Sequence, residues 1–115
     1  MLKTVALTTS LIIGSFALPL CAQAKDGSGS FSSFKNYKVS GKATVKGNKL
    51  TLSNFRTSPG PDLYVYLGNG SPTKLVAKLK ANSGGQSYTL PAGNYSSVFI
   101  HCKRFNSTFA RARIN

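Results

Sequence analysis

The chemistry open to this chain centres on two adjacent residues, His101 and Cys102, which are its sole histidine and one of its two cysteines. A thiol acts as a nucleophile only as a thiolate, and a neighbouring imidazole is a common base for producing one. Adjacent residues of a β-strand, however, point to opposite faces. We therefore expect no catalytic Cys–His dyad, and we expect His101 to be a solvated polar residue beside Lys103.

The remaining residues exclude most other kinds of catalytic and metal site. The only acids are Asp26 and Asp62, and Met1 is the only methionine, so one chain offers neither a pair of folded carboxylates nor a blue-copper or four-ligand zinc site. The sequence also lacks a Cys-x-x-Cys-His motif, a serine nucleophile elbow and a phosphate-binding glycine loop. We expect no stand-alone catalytic activity and no metal. Asp62, which follows Pro-Gly-Pro, is expected to be a structural loop acid that accepts amide hydrogen bonds or pairs with a cation.

The charge of the chain is strongly one-sided. Fifteen Lys and Arg residues face two acids, which gives a formal net charge of +13. Such a field attracts anions and speeds their association. A candidate anion-binding surface comprises the outward-facing cations Lys74, Lys78, Lys80, Lys103, Arg111 and Arg113. An anionic envelope component or an acidic redox protein is the expected partner, although the charge would equally serve solubility alone.

The N-terminal residues explain why nucleic acid, the usual partner of a basic protein in the cytosol, is not expected here. A basic start, the apolar run Val5–Leu18 and the small residues Ala22 and Ala24 have the layout of a secretory signal peptide cleaved after Ala24. The run is shorter than the about 20 residues that span a bilayer, so the mature chain should have no transmembrane segment. We expect a periplasmic or secreted protein. Lipoprotein anchoring through Cys21 is disfavoured because the bulky Leu20 precedes it.

The elements that position these residues are β-strands. Residues 1–24 form the predicted signal peptide, 25–30 a Gly/Ser-rich tether and 31–115 one β-domain. Alternating apolar and polar residues between Gly, Pro and Asn turns predict strands. These cover 37–46, 49–53, 62–67, 74–80, 86–90, 97–103 and 108–114. Seven or eight short, mostly antiparallel strands favour an all-β fold, either a small β-sandwich or a closed barrel.

The same alternation predicts the direction of the Cys102 side chain. Cys102 shares a face with Val98 and Ile100 and should point into the core or a pocket, whereas Phe99 and His101 share the outer face. Once the signal peptide is removed, the domain has no second cysteine for an internal disulfide. Cys102 is then a buried small hydrophobe, a reactive thiol, half of an intermolecular disulfide, or a ligand to a prosthetic group.

Three segments together resemble the DM-thirteen domain family (DM domain number thirteen). They are Leu52-Ser53-Asn54-Phe55, Gly60-Pro61-Asp62-Leu63-Tyr64-Val65-Tyr66-Leu67 and Val98-Phe99-Ile100-His101-Cys102-Lys103-Arg104-Phe105. The resemblance extends over roughly residues 31–114. It implies an exported all-β module, found beside DOMON domains in animal proteins.

The resemblance also implies a function for one residue. The characteristic cysteine of the family, matched here by Cys102, is proposed to take part in electron transfer as a bare thiol or as a ligand to a group such as haem. The position before it is often Trp in the family and is His101 here, which removes a packing aromatic or adds a possible second ligand. The resemblance thus favours a redox accessory module, with a non-catalytic binding or adhesion module on a basic surface as the alternative.

Overall fold

The computed structural model describes residues 26–115, so the predicted signal peptide and Cys21 lie outside the described part. Within that part the chain forms eight β-strands and no helix. The strands are β1 (Gly27–Ser33), β2 (Val39–Lys46), β3 (Lys49–Thr57), β4 (Leu63–Gly68), β5 (Lys74–Lys78), β6 (Gln86–Thr89), β7 (Ser97–Cys102) and β8 (Ser107–Arg113).

All eight strands belong to one antiparallel sheet with the order β5-β4-β7-β8-β1-β2-β3-β6. The sheet curls until its two edge strands, β5 and β6, contact each other without forming a ladder. The fold is therefore a nearly closed barrel, which confirms the all-β prediction. No helix in residues 26–115 is long and apolar enough to cross a membrane.

Alternating apolar residues of the strands fill the interior, as the sequence pattern predicts. Burying one such side chain contributes about 1.5–3 kcal/mol relative to leaving it exposed. Phe31 and Phe55 meet edge to face with ring centroids 5.5 Å apart, which ties β1 to β3 across the core. Other core members are Val39, Ala43, Val45, Leu50, Leu52, Leu63, Val65, Leu67, Val98, Ile100, Cys102, Ala110, Ala112 and Ile114.

Strand β1 was not expected, because it includes most of the predicted tether. Gly27 to Ser30 pair with β2, and Phe31 to Ser33 pair with β8, so this strand joins the two halves of the sheet. A Cβ atom at Gly29 would overlap the carbonyl oxygen of Arg113. The glycines therefore permit a close approach of two backbones rather than flexibility.

A bulge in β5 changes the direction of Leu75, which simple alternation with the outward-facing Lys74 predicts to point into the core. Val65 pairs with Ala77 and Tyr66 pairs with Leu75, so Val76 is the extra residue. The insertion reverses the alternation, because one additional residue exchanges the two faces. Leu75 therefore lies on the outer face and is exposed, while Val76 packs against the core.

Candidate functional site

Cys102 is the last residue of β7, a strand flanked by β4 and β8. Its side chain is 0% exposed, and it belongs to the core cluster with Val98 and Ile100. Leu63 and Ser107 oppose it on the neighbouring strands. The thiol is free of any disulfide among the described residues. The predicted inward direction is confirmed, and the folded domain denies the thiol direct contact with solvent.

His101 lies on the outer face of β7, but the prediction that it is solvated is wrong. Its residue exposure is only 7%. The ring nitrogens Nδ1 and Nε2 lie 3.0 Å from Thr108 Oγ1 and 3.2 Å from Asn106 Oδ1. Because an amide oxygen only accepts, Nε2 donates to Asn106, and in the neutral ring Nδ1 then accepts from the Thr108 hydroxyl. The edge of the ring meets Tyr66, with centroids 5.2 Å apart.

The local cause of this burial is the tight connection between β7 and β8. Ladder pairing passes from Ile100–Ala110 to His101–Thr108, so Phe109 forms a bulge. Asn106 adopts a positive φ of 49° in the turn, a conformation that Asn tolerates better than most residues. The turn thereby carries its side-chain amide back to His101. Phe99 on the same outer face is buried too, at 1% exposure.

Two lysines enclose an aromatic ring next to His101. Tyr64 pairs with His101 in the ladder, and its ring centroid lies 5.5 Å from Lys78 Nζ and 5.1 Å from Lys103 Nζ. Asp62 Oδ1 lies 3.8 Å from Lys78 Nζ. The Asp62 carbonyl also accepts a hydrogen bond from the Lys103 amide at 2.9 Å. Asp62 therefore contacts β5 through its carboxylate and the turn after β7 through its carbonyl.

One hydroxyl faces Cys102 from β8 and bonds to a second one in the connection between β1 and β2. Ser107 directly opposes Cys102, and its Oγ lies 3.0 Å from the phenol oxygen of Tyr37. Directly opposed residues have Cβ atoms about 4.5–5.5 Å apart. Tyr37 stacks on Phe109 with centroids 3.7 Å apart and is only partly buried. Ser107 is thus the ladder partner of Cys102, and the tyrosine that bonds to its hydroxyl is partly exposed.

The residues around Cys102 do not fit a haem. Cys102 and His101 point to opposite faces of one strand, so they cannot ligate the same iron. Both nitrogens of His101 are engaged by side chains, and Cys102 packs among apolar core residues. No buried side-chain N or O atom among residues 26–115 lacks a hydrogen-bond partner that a bound group would have to supply. Nor do three His, Cys, Asp or Glu residues cluster there to hold a metal ion.

The six predicted anion-binding cations do not form one site. Lys78 and Lys103 meet at Tyr64, whereas Lys80 turns toward β6 and donates to the Ser87 carbonyl at 2.6 Å. Lys74 lies at the opposite end of β5 from Lys78. Arg111 pairs with Phe99 and Arg113 with Ser97 on the β8 side.

Sequence reasoning missed several neighbours of His101 and Cys102. Alternation places Tyr64 and Tyr66 on the same face of β4, but nothing in the sequence states that β4 pairs with β7. Thr108 and Asn106 join His101 only because of the bulge and the turn. Ser107 and Tyr37 are 70 positions apart, so only the folded barrel brings them together.

Comparison with known proteins identifies the family. Neither the curated proteins nor the solved structures give a significant match. The family model described as "Electron transfer DM13" matches residues 30–114, which is most of the chain and includes Cys102 and His101. This match confirms the resemblance drawn from the three sequence segments and supports a redox-related module. The chain belongs to the DM13 family.

Proposed function

We propose that this domain is an exported electron-transfer module in which Cys102 acts as a bare redox thiol. The observation that carries the proposal is the position of the thiol. It is fully buried at the end of a central strand, and His101 and Tyr66 pack together on the opposite face of the sheet. Export rests on the signal-like residues 1–24. A ligand role for Cys102 is not part of the proposal, because its surroundings do not suit a haem.

Burial selects one kind of redox chemistry for the thiol. Disulfide exchange requires direct attack by one sulfur on another, which the packed core prevents. Electron transfer requires no atomic contact, because an electron tunnels through packed protein. The thiol loses one electron and one proton and becomes a thiyl radical, and a one-electron acceptor of the partner protein takes the electron.

The released proton needs an acceptor that leads to water. Ser107 opposes Cys102, and its hydroxyl is hydrogen-bonded to Tyr37 at 3.0 Å. We assign the proton transfer to this pair, from Cys102 Sγ to Ser107 Oγ and then through the Tyr37 hydroxyl to solvent. His101 is not the acceptor, since its ring lies on the other face of the strand.

The electron would leave through the outer face of β4 and β7. His101 is adjacent to Cys102 in the chain, and its ring contacts Tyr66, which is partly exposed. Lys78 and Lys103 flank this aromatic surface at Tyr64. Such a surface suits a redox protein with an acidic docking face, because complementary charge accelerates encounter.

Oxidation of the native protein by hexachloroiridate(IV), a one-electron acceptor strong enough to oxidise a thiol, tests the proposal. We expect the folded protein to reduce about one equivalent, although a thiol-labelling reagent reacts with Cys102 only after unfolding. Cys102→Ala should abolish the reduction, and circular dichroism establishes whether it remains folded. Equal reduction by the folded variant contradicts the proposal, as does the absence of reduction by the wild type.

A second candidate function, a binding or adhesion module, is favoured by the charge of the chain. The predicted mature segment, 25–115, has a net charge of +12, because removal of Lys3 lowers +13 by one. Salt-sensitive retention on an anionic matrix would support this function. Charge reversal of Lys74, Lys78 and Lys80 should then remove retention, whereas unchanged retention rejects a role for these lysines.

A further inference from the structure

The barrel is open along one side, where edge strands β5 and β6 face each other. A pocket of about 570 Å³ lies there. This volume falls within the roughly 300–1,000 Å³ of pockets that hold small organic ligands. Its lining consists of Asn48, Lys49, Ala77, Lys80, Ser87, Tyr88 and Thr89. We call it the seam pocket.

Hydrogen bonds fix the connection between β5 and β6 at one end of the seam. The Leu79 amide donates to the Leu63 carbonyl, and the Gly84 amide donates to the Phe55 carbonyl, both at 2.9 Å. The Lys80 amide donates to the Tyr88 hydroxyl at 2.9 Å, and that hydroxyl donates to Gln86. The connection is therefore anchored to β3, β4 and β6, and the strand edges below it remain unpaired with each other.

The pocket is positively charged and lined by polar groups. Lys49 and Lys80 are its charged residues, and no acid contributes to the lining. Lys80 Nζ is held at the Ser87 carbonyl at 2.6 Å, and it lies 5.0 Å from the centre of the Tyr88 ring. Burial raises the pKa of Tyr88, partly offset by the Lys80 amide hydrogen bond, so the phenol adds no negative charge at neutral pH.

The lining also restricts the chemistry of a ligand. A single inorganic anion would fill little of the pocket, since one water accounts for only about 30 Å³ of liquid volume. An apolar anion such as a fatty acid would meet only Ala77 and the largely buried Tyr88 as apolar neighbours. Asn48, Ser87 and Thr89 offer amide and hydroxyl groups, which suit a polyhydroxylated ring.

We propose that the seam pocket binds an acidic sugar, a hydroxylated ring that carries one carboxylate or phosphate. Lys49 and Lys80 bind the anionic group, and Asn48, Ser87 and Thr89 bind the ring hydroxyls. This site is separate from the electron-transfer proposal, because none of its lining residues belongs to the group around Cys102. Of the six cations that the sequence predicts to bind anions, only Lys80 lines this pocket. Lys49, the second cation of the pocket, is not one of those six.

Titration of the ¹⁵N-labelled protein with glucuronate, glucose 6-phosphate, glucose and inorganic phosphate tests the site by NMR. We expect one or both acidic sugars to shift the amides of Asn48, Lys49, Ser87 and Thr89, and the stronger of the two identifies the anionic group. Glucose and inorganic phosphate should each bind at least tenfold more weakly. Equal binding of either, or shifts spread evenly over the basic surface, would overturn the proposal.

Matched variants locate the binding. Lys49→Gln and Lys80→Gln should each weaken binding of the acidic sugar at least tenfold, whereas Lys42→Gln, which removes the same charge at an exposed position of β2, should change it less than twofold. Cys102→Ala should bind normally, which separates this site from the redox proposal. If Lys42→Gln and Lys49→Gln weaken sugar binding equally, net charge alone explains the binding, and the pocket is rejected as the site.

Discussion

Cys102 and His101 are neighbours in the chain, but they face different environments. Strand alternation sends the thiol into the core and the imidazole to the outer face. Thr108 and Asn106 then hold the imidazole, so it is neither a free base nor a free ligand. At the scale of single residues, the thiol and the imidazole therefore lie on opposite faces of β7, and the orientation of the imidazole is fixed.

The hydrogen bond from Thr108 to His101 gives the first prediction. Thr108→Val keeps the side-chain shape but leaves Nδ1 without its donor, so the free energy of unfolding should fall by about 1–3 kcal/mol. Urea denaturation measures the change. The same substitution at Thr51, a partly exposed residue of β3, is the control and should lower the free energy of unfolding less. Equal effects of the two substitutions would contradict the assigned hydrogen bond.

The second prediction concerns Tyr88 and alkaline pH. Burial raises the pKa of Tyr88 above its ordinary value of 10.0. The folded state therefore retains a proton that the unfolded chain releases above this pH, so stability falls as the pH rises through that value toward the folded pKa. Urea denaturation at about pH 9 and about pH 11, on either side of the ordinary tyrosine pKa, measures the loss.

Tyr88→Phe should lose less stability across that interval than the wild type, because it has no phenol to ionise. The comparison uses the change between the two pH values, since loss of the Lys80 and Gln86 hydrogen bonds lowers stability at both. Tyr95→Phe is the control for removal of one phenol. An identical pH dependence in Tyr88→Phe and the wild type would contradict the account.

At the scale of elements, seven of the eight strands follow from alternation in the sequence. The missed strand, β1, consists largely of Gly and Ser, which have little intrinsic strand preference. It exists because its backbone pairs with both β2 and β8. The positions of Leu75 and His101 do not follow from alternation for a related reason, since both residues lie near bulges that depend on the partner strand.

The close approach of β1 gives the third prediction. Gly29→Ala places a methyl group on the Arg113 carbonyl, so the strand must shift. We expect the free energy of unfolding to fall by about 3 kcal/mol or more, as in severe overpacking. Gly70→Ala is the matched control, because a Cβ there meets nothing within 4 Å. The free energy of unfolding of this control should stay within about 0.5 kcal/mol of the wild-type value.

Chemical denaturation followed by circular dichroism compares the two glycine variants. If Gly29→Ala unfolds at the same urea concentration as Gly70→Ala, β1 is not the tightly paired strand described here. If Gly29→Ala fails to fold, the result agrees with the prediction. The sequence alone supports the opposite expectation for this segment, a tether that tolerates substitution.

At the scale of the whole molecule, charge determines which partners approach. Composition predicts the positive field, but only the register shows that Lys78 and Lys103 gather at Tyr64 beside His101. The seam pocket was also beyond sequence reasoning, because Lys49 and Lys80 meet there only when the sheet curls. Composition thus predicts the sign of the surface charge, and the fold determines where the lysines gather.

The fourth prediction separates the effect of the two lysines beside Tyr64 from the effect of the net charge of the protein. Reversal of Lys78 and Lys103 to Glu should slow oxidation by the anion hexachloroiridate(IV) roughly tenfold at low salt, because steering by a charged surface raises association rates. The difference should shrink as salt increases. Reversal of Lys42 and Lys46 on β2 changes the net charge equally and should slow oxidation less. Equal slowing in both pairs would contradict docking at the Tyr64 surface.

The central claim is that the buried thiol of Cys102 exchanges electrons in the folded domain. Film voltammetry of the native protein tests it most directly. The account predicts a redox wave in the wild type that disappears in Cys102→Ala while the circular dichroism spectrum is retained. A folded Cys102→Ala variant with the same wave, or a wild type with none, would contradict the claim.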